Sequence, residues 1–130
     1  MMAAPARPLN VFYAYADKDQ VWQEHLSTHL ANMRQQELID EWHEEKISAG
    51  TDREQAIKQH LAEADLILLL LSPDFLASPF YSSSMLAAAL ERHQRGKVCI
   101  IPILLRPVDM KGSRLSELEA LPKDKVPISL

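Results

Sequence analysis

Residues 65–72, DLILLLLS, set the tightest limit on how this chain folds. An unbroken aliphatic run of this length is far too short to span a bilayer. Bounded by Asp65 and by Ser72-Pro73, it reads as a strand covered on both faces, which places it in the middle of a parallel sheet. Parallel neighbours need long crossover connections, and the rest of the chain supplies them.

Residues 10–16, NVFYAYA, predict a first strand, with DKDQ turning the chain and Asp19 as an expected helix N-cap. Trp22, Leu26, Leu30 and Met33 recur at helical spacing, so residues 20–36 predict one amphipathic helix. ELIDEW (37–42) is a short, weak strand, and HEEKISAG (43–50) a polar loop. Thr51 and Glu54 have capping-box spacing before a helix whose inner face is Ala56, Ile57, His60, Leu61 and Ala64. After the central run, PDFLASPFY (73–81) reads as a loop. Residues 82–96 then form a helix: serines cap its start, Met85, Leu86, Ala89 and Leu90 share a face, and Gly96 ends it. KVCIIPILLRP (97–107) predicts another buried strand, with a local irregularity at Pro102, which withdraws a ladder donor. The tail gives one helical turn and a short last strand, VPIS. Strand and helix alternate three times, so the expected fold is α/β: a flavodoxin-like, doubly wound parallel sheet of about five strands with helices on both faces. Residues 1–9 read as a flexible leader and residues 10–130 as one domain. The functional crevice of such a sheet lies at the carboxyl ends of its strands, here the loops at 16–20, 43–50 and 72–82.

Composition removes several functions. The net charge is −4 with 14 basic and 18 acidic residues, which is not a nucleic-acid footprint. With three glycines in the whole chain, neither a dinucleotide fingerprint nor a phosphate loop can be written. HEEKI has Ile47 where a zinc-protease helix needs its second histidine, and no serine sits in a G-x-S-x-G elbow. His25 and His29 are four apart on a helix but lack a third ligand, so two solvated histidines are expected and no metal site. His43, His60 and His93 are isolated. Cys99 is the single cysteine and reads as an inert core thiol in a reduced, cytoplasmic setting. Neither a signal peptide nor a membrane span is expected.

Three blocks, taken in order, resemble a bacterial-type Toll/interleukin-1 receptor (TIR) domain. They are VFYAYADKD, LIDEWHEEKISAG, and the long block from HLAEADLILLLLSPDF through ALERH and VCIIPILLRPVD to LEALPKD, covering residues 10 to 125. The resemblance implies a five-stranded parallel sheet and one of two activities. Many TIR domains signal by associating with other TIR domains, homotypically or heterotypically, into oligomers or filaments in immune and defence pathways. Others are NAD glycohydrolases that cleave the nicotinamide glycosidic bond with a glutamate on the helix here spanning 82–96. A carboxylate suits that reaction because the transition state is oxocarbenium-like.

Matched without gaps, the glutamate's slot falls on Met85, and Tyr81 falls where the family often has Cys or Trp. Glu91 is no substitute, lying about 240° round the helix and about 9 Å along it. The resemblance therefore implies no catalytic residue and no required cofactor, with NAD retained as ligand or substrate in the alternative reading. It implies an NAD crevice at Tyr13, Ala14, Trp42, Tyr81 and Met85. Ala14 and Ala16 stand where the family often shows serines. Trp42 is suited both to stacking a base and to half-buried packing. It also implies an assembly loop, the BB loop, made of His43, Glu44, Glu45, Lys46, Ile47, Ser48, Ala49 and Gly50. In that loop Glu45 stands for a frequent arginine and Ala49 for a frequent proline. TIR domains usually add a final helix after the fifth strand, and here that helix is expected to be missing.

Overall fold

The computed structural model describes residues 8–43, 52–78 and 83–106. Along the chain, β1 (Leu9–Ala14) leads through a 3-10 turn (Asp17–Asp19) into α1 (Gln20–His29) and α2 (Ala31–Gln35). Then come β2 (Ile39–Trp42), α3 (Arg53–Glu63), β3 (Leu66–Leu71), the single turn α4 (Pro73–Leu76), α5 (Ser84–Gln94) and β4 (Cys99–Leu104). The strands pair in the order β2-β1-β3-β4, all parallel. The expected last strand and helical turn lie outside the described residues.

β3 is the covered centre that its composition demands: Ile67, Leu69, Leu70 and Leu71 are fully buried. Each such side chain contributes roughly 1.5–3 kcal/mol. Alternation then assigns the two layers. Phe12, Ala14, Ile67, Leu69 and Leu71 pack with Leu61 of α3 and Leu86 and Ala89 of α5. Val11, Tyr13 and Leu68 pack on the other face, against Leu26 and Leu30. The sheet is thus doubly wound, with α1 on one side and α3 and α5 on the other. The chain steps outward from β1 to β2 and then returns past β1 to β3. The topological switch point is therefore the β1/β3 boundary.

Several local expectations change. The predicted helix 20–36 is two helices, because at Leu30 the backbone opens to φ −92°, ψ 2°. The N–H of Leu30 is there shared between the carbonyls of Leu26 and Ser27. Past that break Met33 leaves the buried stripe and is 42% exposed. Asp19 occupies the N-cap position but makes no capping bond; its carboxylate is used elsewhere. The cap of α3 is Asp52, which accepts from the N–H of Gln55 at 3.2 Å, whereas Thr51 lies outside the described residues. Part of the expected loop 73–81 is the turn α4, capped by Ser72 with a proline in its first turn.

β4 is fully buried on one face and partly on the other. Ile100, Pro102 and Leu104 point inward, Ile101 and Ile103 are half-buried, and Cys99 is exposed, not a core thiol. Pro102 sits in an unbroken ladder opposite Leu69. The N–H groups of Cys99 and Leu105 bond to Asp65 and Leu71, whereas that of Ile100 turns away to His93. By this parity the nitrogen of Pro102 faces away from β3, so no bond to that strand is lost and no irregularity is needed.

The ends of α5 follow the sequence. Ser83 accepts from the N–H of Leu86. Gly96 at φ +73° closes the helix with paired bonds from Gly96 to His93 and from Lys97 to Arg92. The same closure ends α2, but there Glu37 holds the left-handed position at φ +59°.

Candidate functional site

The carboxyl edge of the sheet is closed by polar groups that satisfy one another. Asp19 is fully buried, accepting from the hydroxyl of Ser72 at the end of β3 and from the guanidinium of Arg106 just past β4. Ser72 in turn accepts from the N–H of Phe75, so its hydroxyl both donates and accepts within the cluster. Arg106 also lies 3.7 Å from Asp74, and Lys18 lies 3.9 Å from the same carboxylate. Two acids and two bases thus tie the 3-10 turn, β3, α4 and the end of β4 together at the switch point.

A second network lies beside it. Glu41 of β2, buried, accepts from the hydroxyls of Tyr13 and Ser27 and from Arg34. Burial first, then the bond to Glu41 and the charge of that carboxylate, push the Tyr13 phenol far above its usual value. Tyr13 is therefore neutral and committed to Glu41. Ala14 is buried in the core. Tyr15 and His43 share a hydrogen bond of 3.1 Å between the hydroxyl and Nδ1. Trp42 stacks on His60 at 4.4 Å and 11°, and on Phe12 at 5.1 Å and 29°. It lies beside a small cavity of about 90 Å³ with Asp40, Glu41 and Glu63.

Met85 is elsewhere. Half-buried on the α3-facing side of α5, it opens on an apolar groove of about 220 Å³. Leu61 and Ala62 form one wall, Ala88 and Ala89 the other, and Lys58 and Arg92 stand at its rims. Glu91, the first acid of α5, is exposed and paired with Arg95 at 2.8 Å. Tyr81 and the loop residues Glu44 to Gly50 lie outside the described residues. His25 and His29 are both exposed, and among the described residues no group of three or more His, Cys, Asp or Glu is placed to hold a metal. Likewise, no described helix is long and apolar enough to cross a membrane.

The family model described as TIR domain matches residues 11–129. The chain belongs to the TIR domain family. The uncharacterized protein y4lF of Sinorhizobium fredii (strain NBRC 101917 / NGR234) is 37% identical over 120 residues, which is 92% of this chain and 37% of that protein. The chain thus spans little more than a third of that relative's length. Among solved structures, the TIR domains of the activated Roq1 resistosome, which directly recognizes the pathogen effector XopQ, match with a TM-score of 0.59 at 17% identity. That match covers 73% of this chain and 56% of the other. The TIR domain of the Toll-related receptor TRR-2 from Hydra magnipapillata matches with a TM-score of 0.51 at 21% identity, over 76% and 72% of the two chains. Both likenesses concern the fold.

Within this TIR domain the sequence reading missed Asp19, Ser72, Arg106 and Glu41 as edge-closing residues. Their partners lie as much as 87 positions apart, and no spacing rule reaches that far. The one legible hint was a charged residue at each strand end: DKD after β1 and Arg106 after the apolar LL. Among the described residues no buried side-chain polar atom lacks a partner.

Proposed function

We propose that this TIR domain acts as a signalling module by associating with other TIR domains in an immune or defence pathway, and that it does not hydrolyse NAD. The observation that carries the reading is the environment of Met85. The residue that the resemblance sets in the enzyme's acid slot packs beside Leu61, Ala62, Ala88 and Ala89, and α5 has no acid in its first turn. A thioether there offers no charge to an oxocarbenium-like transition state, and losing one well-placed electrostatic group costs about 10²–10³ in rate. The mutual pairing of Asp19, Ser72 and Arg106 supports the same reading, since polar groups spent on one another are not free for a nucleotide. The Roq1 resistosome contains TIR domains within an assembly, and association of that general kind is what the proposal carries over to this chain.

The contact that the family resemblance implies is the loop His43 to Gly50, with Ile47 as its aliphatic anchor. A head-to-tail contact between identical subunits gives a strand or filament unless its rotation closes a ring, and the open form is the one proposed. Losing a buried aliphatic anchor costs about 2 kcal/mol, or about thirtyfold in concentration. Light scattering over a concentration series tests this: wild type grows and Ile47→Asp stays folded and monomeric. Nicotinamide release, followed by chromatography on the assembled protein, stays at background. A wild type that remains monomeric at high concentration refutes the assembly, and clear NAD turnover refutes the rest.

A further inference from the structure

The outer crest of α1 carries an apolar knob, with one acid on the helix after it and another in the 3-10 turn that leads into the helix. Gln23, Leu26 and Leu30 turn toward the sheet, leaving Val21 on the opposite side and 49% exposed. Asp17 lies about one turn before it and Glu24 about one turn after it, both exposed. Neither carboxylate has an ion-pair or hydrogen-bond partner among the described residues.

The complementary shape lies on the other face of the sheet. The α3–α5 groove has aliphatic walls and cationic rims. Arg92 spends its guanidinium on the carbonyls of Leu61 and Ala64, at 2.8 and 3.3 Å, and pairs with no carboxylate among the described residues. Lys58 reaches only the exposed Glu54, at 3.4 Å. The groove's 220 Å³ exceeds the share of several waters, about 30 Å³ each, and its apolar walls give them few partners.

We propose that the occupant of this groove is a second copy of the chain: Val21 of one copy seats between α3 and α5 of the next, with Asp17 and Glu24 against Lys58 and Arg92. Sign and polarity match on both sides, and knob and groove face opposite ways because α1 and the α3–α5 pair cover opposite faces of the sheet. Copies therefore stack front to back, and the contact is heterologous and open-ended. The inference rests on the assembly proposed above and adds a second contact to it, independent of the loop at 43–50.

Two variants each remove one half of the contact. Val21→Glu spoils the knob, and Ala88→Phe, at an exposed position, fills the groove. Each raises the concentration needed for assembly about tenfold, with thermal melts showing that both remain folded. Mixed at a concentration where neither variant assembles alone, they form one-to-one pairs, since the knob of the Ala88→Phe copy still fits the groove of the Val21→Glu copy. Glu24→Lys and Lys58→Glu each weaken assembly, and mixing the two single variants restores it. If wild type assembles and Val21→Glu and Ala88→Phe assemble equally well, this contact is wrong while the assembly stands. If both block assembly but fail to pair when mixed, the front-to-back geometry is overturned. A wild type that never assembles overturns the assembly itself.

Discussion

Met85→Glu puts a carboxylate in the slot that the family resemblance implies for the enzymes' acid, and the surroundings of Met85 set what it should cost. Met85 is half-buried against the core that contains Leu61, Leu86 and Ala89. Full burial of such a side chain is worth roughly 1.5–3 kcal/mol, so exchanging it for a shorter polar one loses about 1 kcal/mol. The carboxylate then faces four aliphatic residues and is partly desolvated, which costs about another 1 kcal/mol. Two effects oppose this. The residue lies in the first turn of α5, where an acid gains about 0.3–1 kcal/mol from the unbonded N–H groups. Lys58 and Arg92 add a fraction of a kcal/mol, screened because the groove is open. The losses win by about 1 kcal/mol, which for a domain of this size lowers Tm by about 3–5 °C. Nicotinamide release should stay at or near background, because the new acid lies among apolar walls. Met85→Gln, with the same lost area and no charge, should melt at about the same temperature as Met85→Glu, because the desolvation cost and the favourable charge interactions nearly cancel. Thermal denaturation and chromatography read both outcomes. A vigorous NAD hydrolase with unchanged Tm would refute the reasoning, showing that a complete substrate site already surrounds position 85.

Three further outcomes follow from the described contacts. Glu37→Gly relieves a left-handed backbone at φ +59° and should stabilise the fold by about 0.5–1 kcal/mol in urea unfolding; a neutral or destabilising result would mean that the closure of α2 is not strained. The Tyr13 phenol is raised in the folded state, so its contribution is complete below the unfolded value of about 10 and is lost as pH rises above it, by up to about 1.4 kcal/mol per pH unit. Tyr13→Phe should flatten the alkaline fall in stability relative to wild type, and identical slopes would show that Tyr13 ionises freely. Asp19→Ala removes the acceptor of Ser72 and Arg106; because the Arg106 side chain is 38% exposed and regains water, the cost should be about 2 kcal/mol, below that of a fully buried pair.

What was legible in the sequence was local. A run such as LILLLL has one use in an α/β domain, and it occupies that place. The serine before α5 and the glycine after it mark its ends because caps and left-handed closures depend on neighbours within a turn. Identity of the capping residue was less secure: Asp52 has the same spacing to Gln55 that Thr51 has to Glu54, and only the backbone path decides between them. Cys99 and Pro102 were misjudged for different reasons: apolar composition does not reveal how exposed the start of a strand is, nor which of the strand's two hydrogen-bonding edges a proline nitrogen faces. The edge cluster was illegible because Asp19, Ser72 and Arg106 meet only once three strands are in register.

The same locality makes the acid-free start of α5 more informative than any one alignment. Between Asp74 and Glu91 the chain contains no carboxylate, so sliding the match by one or several residues in either direction does not find one. Asp74 sits in the first turn of α4 and is held beside Arg106 and Lys18. Glu91 is almost two turns into α5 and paired with Arg95. An NAD hydrolase built on this chain would need its acid from a different element. The buried Glu41 is already shared among Tyr13, Ser27 and Arg34, and the buried Asp19 between Ser72 and Arg106. Both carboxylates hold the sheet edge closed. Recruiting either for chemistry would break the contacts that keep that edge together, so among the described residues neither buried acid is free for a substrate.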